Sequence, residues 1–113
     1  MQKEIHMGLL DALRGGSFAK GVEEWKAAQG GVLLDVRSTG EYAQGHVPGS
    51  INVATNNLDR VAQKYPRGTP LFVYCLSGAR AGQAASYLKR AGFTNVKNIG
   101  GISGYRGEME CQS

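Results

Sequence analysis

Two short apolar runs decide what this chain can fold into. Val32-Leu33-Leu34-Asp35-Val36 follows Gly30-Gly31, and Leu71-Phe72-Val73-Tyr74 stands directly before a cysteine. Each is too short for a stable helix and too continuous for a half-exposed strand, so both read as buried central strands. Helical spacing fills the intervals. Val22, Trp25 and Ala28 share one face of a helix. Leu58, Val61, Ala62 and Tyr65 recur at i, i+3, i+4 and i+7 until Pro66 stops them. Ala81, Ala84, Ala85, Leu88 and Ala91 repeat in the same way, and Lys89-Arg90 with Gly92 closes that helix. Ile51-Asn52-Val53 and residues 96–99 read as further strands, 17–19 as a candidate edge strand, and 7–13 as a short helix ended by Gly15-Gly16. Alternation of this kind predicts an α/β domain with a parallel sheet of four to five strands.

The 113 residues suit one domain. No repeat or linker divides them. We expect residues 1–16 to be an N-terminal extension and 17–113 a single domain. Thirteen Lys and Arg against nine Asp and Glu give a net charge of +4. That balance suits a small anionic partner, but no dense basic run argues for nucleic acid. No apolar run approaches the ~20 residues that span a membrane, and the start lacks a signal peptide's apolar stretch. The expected location is the cytoplasm, where cysteines stay reduced. Cys75, Cys111, His6 and His46 are scattered without metal-ligand spacing, so neither metal nor cofactor is expected.

Chemistry concentrates in Tyr74-Cys75-Leu76-Ser77-Gly78-Ala79-Arg80-Ala81. A cysteine ends a buried strand, a tight loop containing Gly follows, and a helix begins. Ligands bind at this end of strands in open α/β sheets. The loop's N–H groups can form an anion-binding nest, and the helix adds its own free N–H groups and dipole. These donors favour a thiolate and make Cys75 a candidate nucleophile. Arg80 is a cation at the rim that can fork onto a bound anion. The competing reading is a cysteine that simply fills the core.

A second stretch narrows the choice. Leu34-Asp35-Val36-Arg37-Ser38-Thr39-Gly40-Glu41-Tyr42-Ala43-Gln44-Gly45-His46-Val47-Pro48-Gly49-Ser50-Ile51-Asn52-Val53 resembles the rhodanese signature, in which a D-V-R segment leads to E-Y-x-x-G-H-I-P-G-A-I-N. Cys75 to Arg80 is similar to the rhodanese active-site loop, and Asn98-Ile99-Gly100-Gly101-Ile102 to the family's closing strand and turn. The resemblance covers most of the chain. It implies a three-layer α/β/α rhodanese fold and a sulfurtransferase that carries sulfane sulfur as a Cys75 persulfide, with no cofactor. By the same resemblance Leu76, Ser77, Gly78, Ala79 and Arg80 cradle the persulfide, and Asp35 and Arg37 brace the site as candidate substrate-binding residues. Glu41 and His46 match the pattern too, and their expected roles are structural: a helix-cap carboxylate and a backbone-bonding imidazole.

Some residues depart from the pattern. Tyr105 stands where the family usually has Trp, and residues 1–16 match nothing in it. Cys111 lies in the short polar tail, either as a bystander or as a resolving thiol. The fold is also used by dual-specificity phosphatases with a seven-residue loop, C-x5-R. The six residues from Cys75 to Arg80 make a smaller cradle, suited to one sulfur atom, and no general acid stands in the loop. The expected partners are a small anionic sulfur donor, such as thiosulfate or a persulfide, and a thiol or protein acceptor. A non-catalytic rhodanese-like binding module is the main alternative, and a phosphatase or arsenate reductase a weaker one. The oligomeric state is not set by the sequence.

Overall fold

A computed structural model describes residues 17–112. The expected 7–13 helix lies outside the described residues. In chain order come α1 (Ser17–Ala27), β1 (Val32–Asp35), α2 (Thr39–Gln44), β2 (Ile51–Asn52), a 3-10 turn (Thr55–Asn57), α3 (Asp59–Lys64), β3 (Leu71–Cys75), α4 (Ala79–Arg90) and β4 (Val96–Gly101). The four strands form one parallel sheet in the order β2-β1-β3-β4.

Burial follows the period-two geometry of a strand. Leu71, Val73 and Cys75 of β3 face α3 and α4, packing with Leu34, Val61, Ala81, Ala84 and Leu88. Phe72 and Tyr74 face the other way, toward Phe18 and Val22 of α1, with Leu33 and Ile99. Helices therefore cover both faces, and β3 is buried along its whole length. Each such aliphatic side chain contributes roughly 1.5–3 kcal/mol by leaving water.

The edge strand expected at residues 17–19 is instead the first turn of α1. Phe18, Val22 and Trp25 fall at i, i+4 and i+7, which places Phe18 on the stripe that packs on the sheet. Two edge-to-face contacts hold its ring, with Tyr74 at 5.2 Å and Tyr105 at 4.9 Å between centroids. Tyr105, half-buried, thus packs against this core from the last segment. Among the described residues no helix is long and apolar enough to cross a membrane.

Candidate active site

β3 delivers Cys75 to the C-terminal edge of the sheet, between the ends of β1 and β4. The chain must then turn into α4 within three residues. Gly78 makes this turn at φ +107°, a left-handed conformation that costs a side-chain-bearing residue energy, and it stands at the N-cap of α4. The turn folds the backbone over the sulfur. The Gly78 N–H donates to Cys75 Sγ at 2.9 Å and the Ala81 N–H donates at 3.3 Å. Ala79 and Arg80, in the first turn of α4, have no intrahelical carbonyl to bond. Among the described residues, the amides of Leu76, Ser77, Ala79 and Arg80 donate to no protein acceptor. Cys75 itself is 1% exposed. It is packed into the core, yet its sulfur is met by donors rather than by apolar groups alone.

β4 supports the loop from behind. The Ile102 N–H donates to the Cys75 carbonyl at 2.9 Å, and the Ser103 N–H to the Leu76 carbonyl at 3.0 Å. Asn98 Nδ2 donates to the Gly78 carbonyl at 3.3 Å, while Asn98 Oδ1 accepts from the Gly100 N–H at 2.8 Å. Three carbonyls of the loop segment, those of Cys75, Leu76 and Gly78, are thus bonded from β4 and the residues that follow it. The approach is close enough to exclude a side chain. A Cβ on Gly101 would stand 2.2 Å from the Leu76 carbonyl oxygen and 2.6 Å from Ser77 Cα. β4 reaches this position through a register shift beside Val73 and Tyr74, an irregularity of the kind that re-aims a strand near a site.

Asp35 and Arg37 form a buried pair at the end of β1. Arg37 Nε donates to Asp35 Oδ1 at 3.0 Å and Nη2 donates to Oδ2 at 2.7 Å. Nη2 also donates to the Gly45 carbonyl at 2.7 Å, fastening the end of α2. Asn52 Nδ2 donates to the carbonyls of both Asp35 and Arg37, at 2.9 Å each. Burial works against the charge on Arg37 more than any other single cause, but the hydrogen bonds and the charge of Asp35, with smaller help from Tyr74 and Glu41, together outweigh it and hold the guanidinium above its ordinary value. Asp35 has no exposed surface, so its place is behind Arg37, holding it, rather than against a ligand.

Arg80 stands at the rim, but its fork is occupied. Nη1 and Nη2 donate to Glu41 Oε1 and Oε2 at 2.8 and 3.0 Å. Glu41 also completes a capping box with Ser38, accepting from its backbone N–H and hydroxyl while Ser38 Oγ accepts from the Glu41 N–H. The Ser-x-x-Glu spacing makes the cap readable from sequence. The link to Arg80 has no local signature. Hydrogen bonds from Arg80, helped by Ser38 and opposed by burial, lower the Glu41 carboxyl from its ordinary 4.5 to about 2. A carboxylate depressed in the folded state stabilises fully above its unfolded value, and the benefit is lost as pH falls toward the folded one. We therefore expect the stability difference between the native chain and Glu41→Gln to be constant above pH 4.5 and to disappear as pH falls to about 2. Urea midpoints at several pH values check this. A difference that persists unchanged in acid would show that the pair contributes nothing.

The tail folds back beside this rim. His46 and Glu110 form an antiparallel bridge, with N–H to carbonyl distances of 2.9 and 2.8 Å, and the Gln112 N–H donates to the Ala43 carbonyl at 2.9 Å. His46 is stacked on Tyr42 at 3.7 Å with Nδ1 2.7 Å from the Tyr42 carbonyl, a backbone-bonding role. Cys111 is exposed, and its Sγ donates to the Gln44 carbonyl at 3.1 Å. An open cleft of about 380 Å3 lies along this side, lined by Arg37, Glu41, Gln44, Gly45, Leu76 and Met109.

The family model of the rhodanese-like domain matches residues 18–108, including every residue of the loop and the buried pair. The chain belongs to the rhodanese-like family. Among rhodanese-like relatives, the thiosulfate sulfurtransferase PspE of Escherichia coli is 38% identical over 71 residues, covering 61% of this chain and 68% of that protein. A sulfurtransferase of Allochromatium vinosum is 35% identical over 72 residues, covering 63% and 67%. The solved structure described as rhodanese with anions from E. coli superposes with a TM-score of 0.65 at 32% identity, covering 71% of this chain and 96% of that one. These likenesses place this rhodanese-like domain among sulfurtransferases and match its four-stranded parallel sheet flanked by helices.

Proposed function

We propose that the chain is a rhodanese-type sulfurtransferase that carries sulfur as a persulfide on Cys75. The observation that carries this reading is the pair of amide donors, Gly78 and Ala81, aimed at Cys75 Sγ where α4 begins. In the first half-reaction the Cys75 thiolate attacks the outer sulfur of a donor. With thiosulfate, the donor's S–S bond breaks and sulfite leaves with the electron pair. In the second, a thiophilic acceptor, cyanide in an assay or a cellular thiol, attacks the outer sulfur of the persulfide and restores the thiolate. The scheme is ping-pong. Loop donors stabilise the anionic sulfur without reorganising, an effect worth ~3 kcal/mol per donor in comparable oxyanion sites. Leu76, Ser77, Gly78 and Ala79 supply the cradle's backbone, Arg80 with Glu41 closes the rim, and Arg37 held by Asp35 shapes the wall. The chemistry needs Cys75 as a free thiol, which fits a reducing compartment such as the cytoplasm.

The six-residue loop favours sulfur over phosphate, and retention of the nucleophile argues against a purely binding module. Incubation with a sulfane donor, followed by intact-mass measurement, tests the reading. We expect a gain of one sulfur atom, removed by a thiol reductant. Release of phosphate from an aryl phosphate without sulfur gain would establish the phosphatase instead.

A further inference from the structure

Resting on the sulfur-transfer reading, we propose that Cys75 takes its sulfur from a small organic persulfide, R–S–SH with an apolar R, in preference to the thiosulfate dianion, and that Leu76 and Met109 form the lip on which R packs. Charge is the first argument. A thiolate attacking a dianion needs local cations in excess, and the cleft beside the loop has none among the described residues. The Arg37 fork is spent on Asp35 and the Gly45 carbonyl, and the Arg80 fork on Glu41. Each pair sums to zero. Glu41 is held in place by Ser38 as well as by Arg80, so its carboxylate remains at the mouth and keeps the Arg80 charge compensated.

Apolar exposure is the second argument, and it is independent of the first. Leu76 directly follows the nucleophile, yet 45% of it is exposed, and Met109 is 42% exposed. Among the described residues they are two of four exposed large hydrophobic side chains, and they line the same cleft as Arg37 and Glu41. The backbone beside Met109 is anchored, and its side chain lies over Gly45. The adjacent Glu110 is bridged to His46, and Met109 Cε would stand only 3.1 Å from a Cβ on Gly45. The tail thus presents an apolar side chain across the cleft from the loop, an arrangement with no use for sulfite as leaving group but suited to an apolar thiol.

The step balances without a co-reactant. The Cys75 sulfur forms a bond to the outer sulfur of R–S–SH, the donor's S–S bond breaks, and its electron pair leaves on R–S⁻, which takes a proton from water. The outer sulfur keeps its hydrogen, and Cys75–S–SH results.

The test compares sulfur loading of the native chain by thiosulfate and by benzyl persulfide released in situ, each rate taken relative to the same donor's reaction with free cysteine. We expect kcat/KM to favour benzyl persulfide. Met109→Ala should lower that value ~10-fold, chiefly through KM, and leave thiosulfate loading unchanged, and Leu76→Ala should slow loading from benzyl persulfide ~10-fold more than loading from thiosulfate, since losing a few methylenes from an apolar contact has this size of effect. Leu76→Arg should raise thiosulfate loading by ~10-fold by adding the missing cation. Faster native loading from thiosulfate, or equal slowing of both donors in the alanine variants, overturns the inference while leaving sulfur transfer standing. Loading from neither donor overturns the sulfur-transfer reading itself.

Discussion

Replacing Cys75 with serine should abolish the proposed sulfur loading from thiosulfate and from organic persulfides alike, with an expected loss of at least ~10⁴-fold, the scale seen when an enzyme's nucleophile is removed. A serine hydroxyl is not ionised near neutral pH, and its oxygen forms no persulfide. The variant should nevertheless fold. The hydroxyl oxygen can accept the same Gly78 and Ala81 N–H groups that reach Sγ at 2.9 and 3.3 Å, so no buried donor is orphaned. Thermal unfolding should therefore change by only a few degrees, on the scale of ~1 kcal/mol. Mass spectrometry and calorimetry on the purified variant check both halves. Sulfur gain near the native rate would place the nucleophile elsewhere, with exposed Cys111 the first residue to examine.

The second large effect lies one strand away. Gly101→Ala should damage both stability and activity. Its Cβ would meet the Leu76 carbonyl oxygen at 2.2 Å, Ser77 Cα at 2.6 Å and the Leu76 carbonyl carbon at 2.7 Å. All three belong to the backbone and none can rotate away. Overpacking of this kind costs ~1–3 kcal/mol, and relief requires the loop to shift. A displacement of about 1 Å at a reacting centre costs ~10²-fold in rate. We expect a lower unfolding midpoint together with a fall in sulfur loading of that order. Gly68→Ala is the control, because a Cβ there meets nothing within 4 Å. Equal behaviour of the two variants would mean that β4 does not set the loop.

The parts of the molecule legible in the sequence are those with a local physical signature. The apolar run 71–74 ending at Cys75, with Gly78 three residues on, reads as strand, turn and helix because each piece is specified by its neighbours. The Ser38–Glu41 cap is legible for the same reason. Residues 17–19 mislead because the Gly15-Gly16 pair marks a break just before them and the helical spacing is read only from Val22 onward, although Phe18 stands one turn earlier on the same stripe. The Glu41–Arg80 ion pair joins residues 39 positions apart, and the His46–Glu110 bridge rests on backbone groups that every residue carries. No periodicity announces either one. The first becomes visible only when the sheet brings the ends of β1 and β3 together, the second only when the tail after β4 returns beside α2.

The cradle's carbonyls are held by Ile102 and Ser103, near the end of the chain, although the nucleophile stands at residue 75. A fragment stopped before residue 102 would carry the thiol and the start of α4 but not the donors that hold the Cys75 and Leu76 carbonyls. On the proposed reading, competence at sulfur would be an outcome of completed folding: a growing polypeptide would expose its cysteine well before it could arm it.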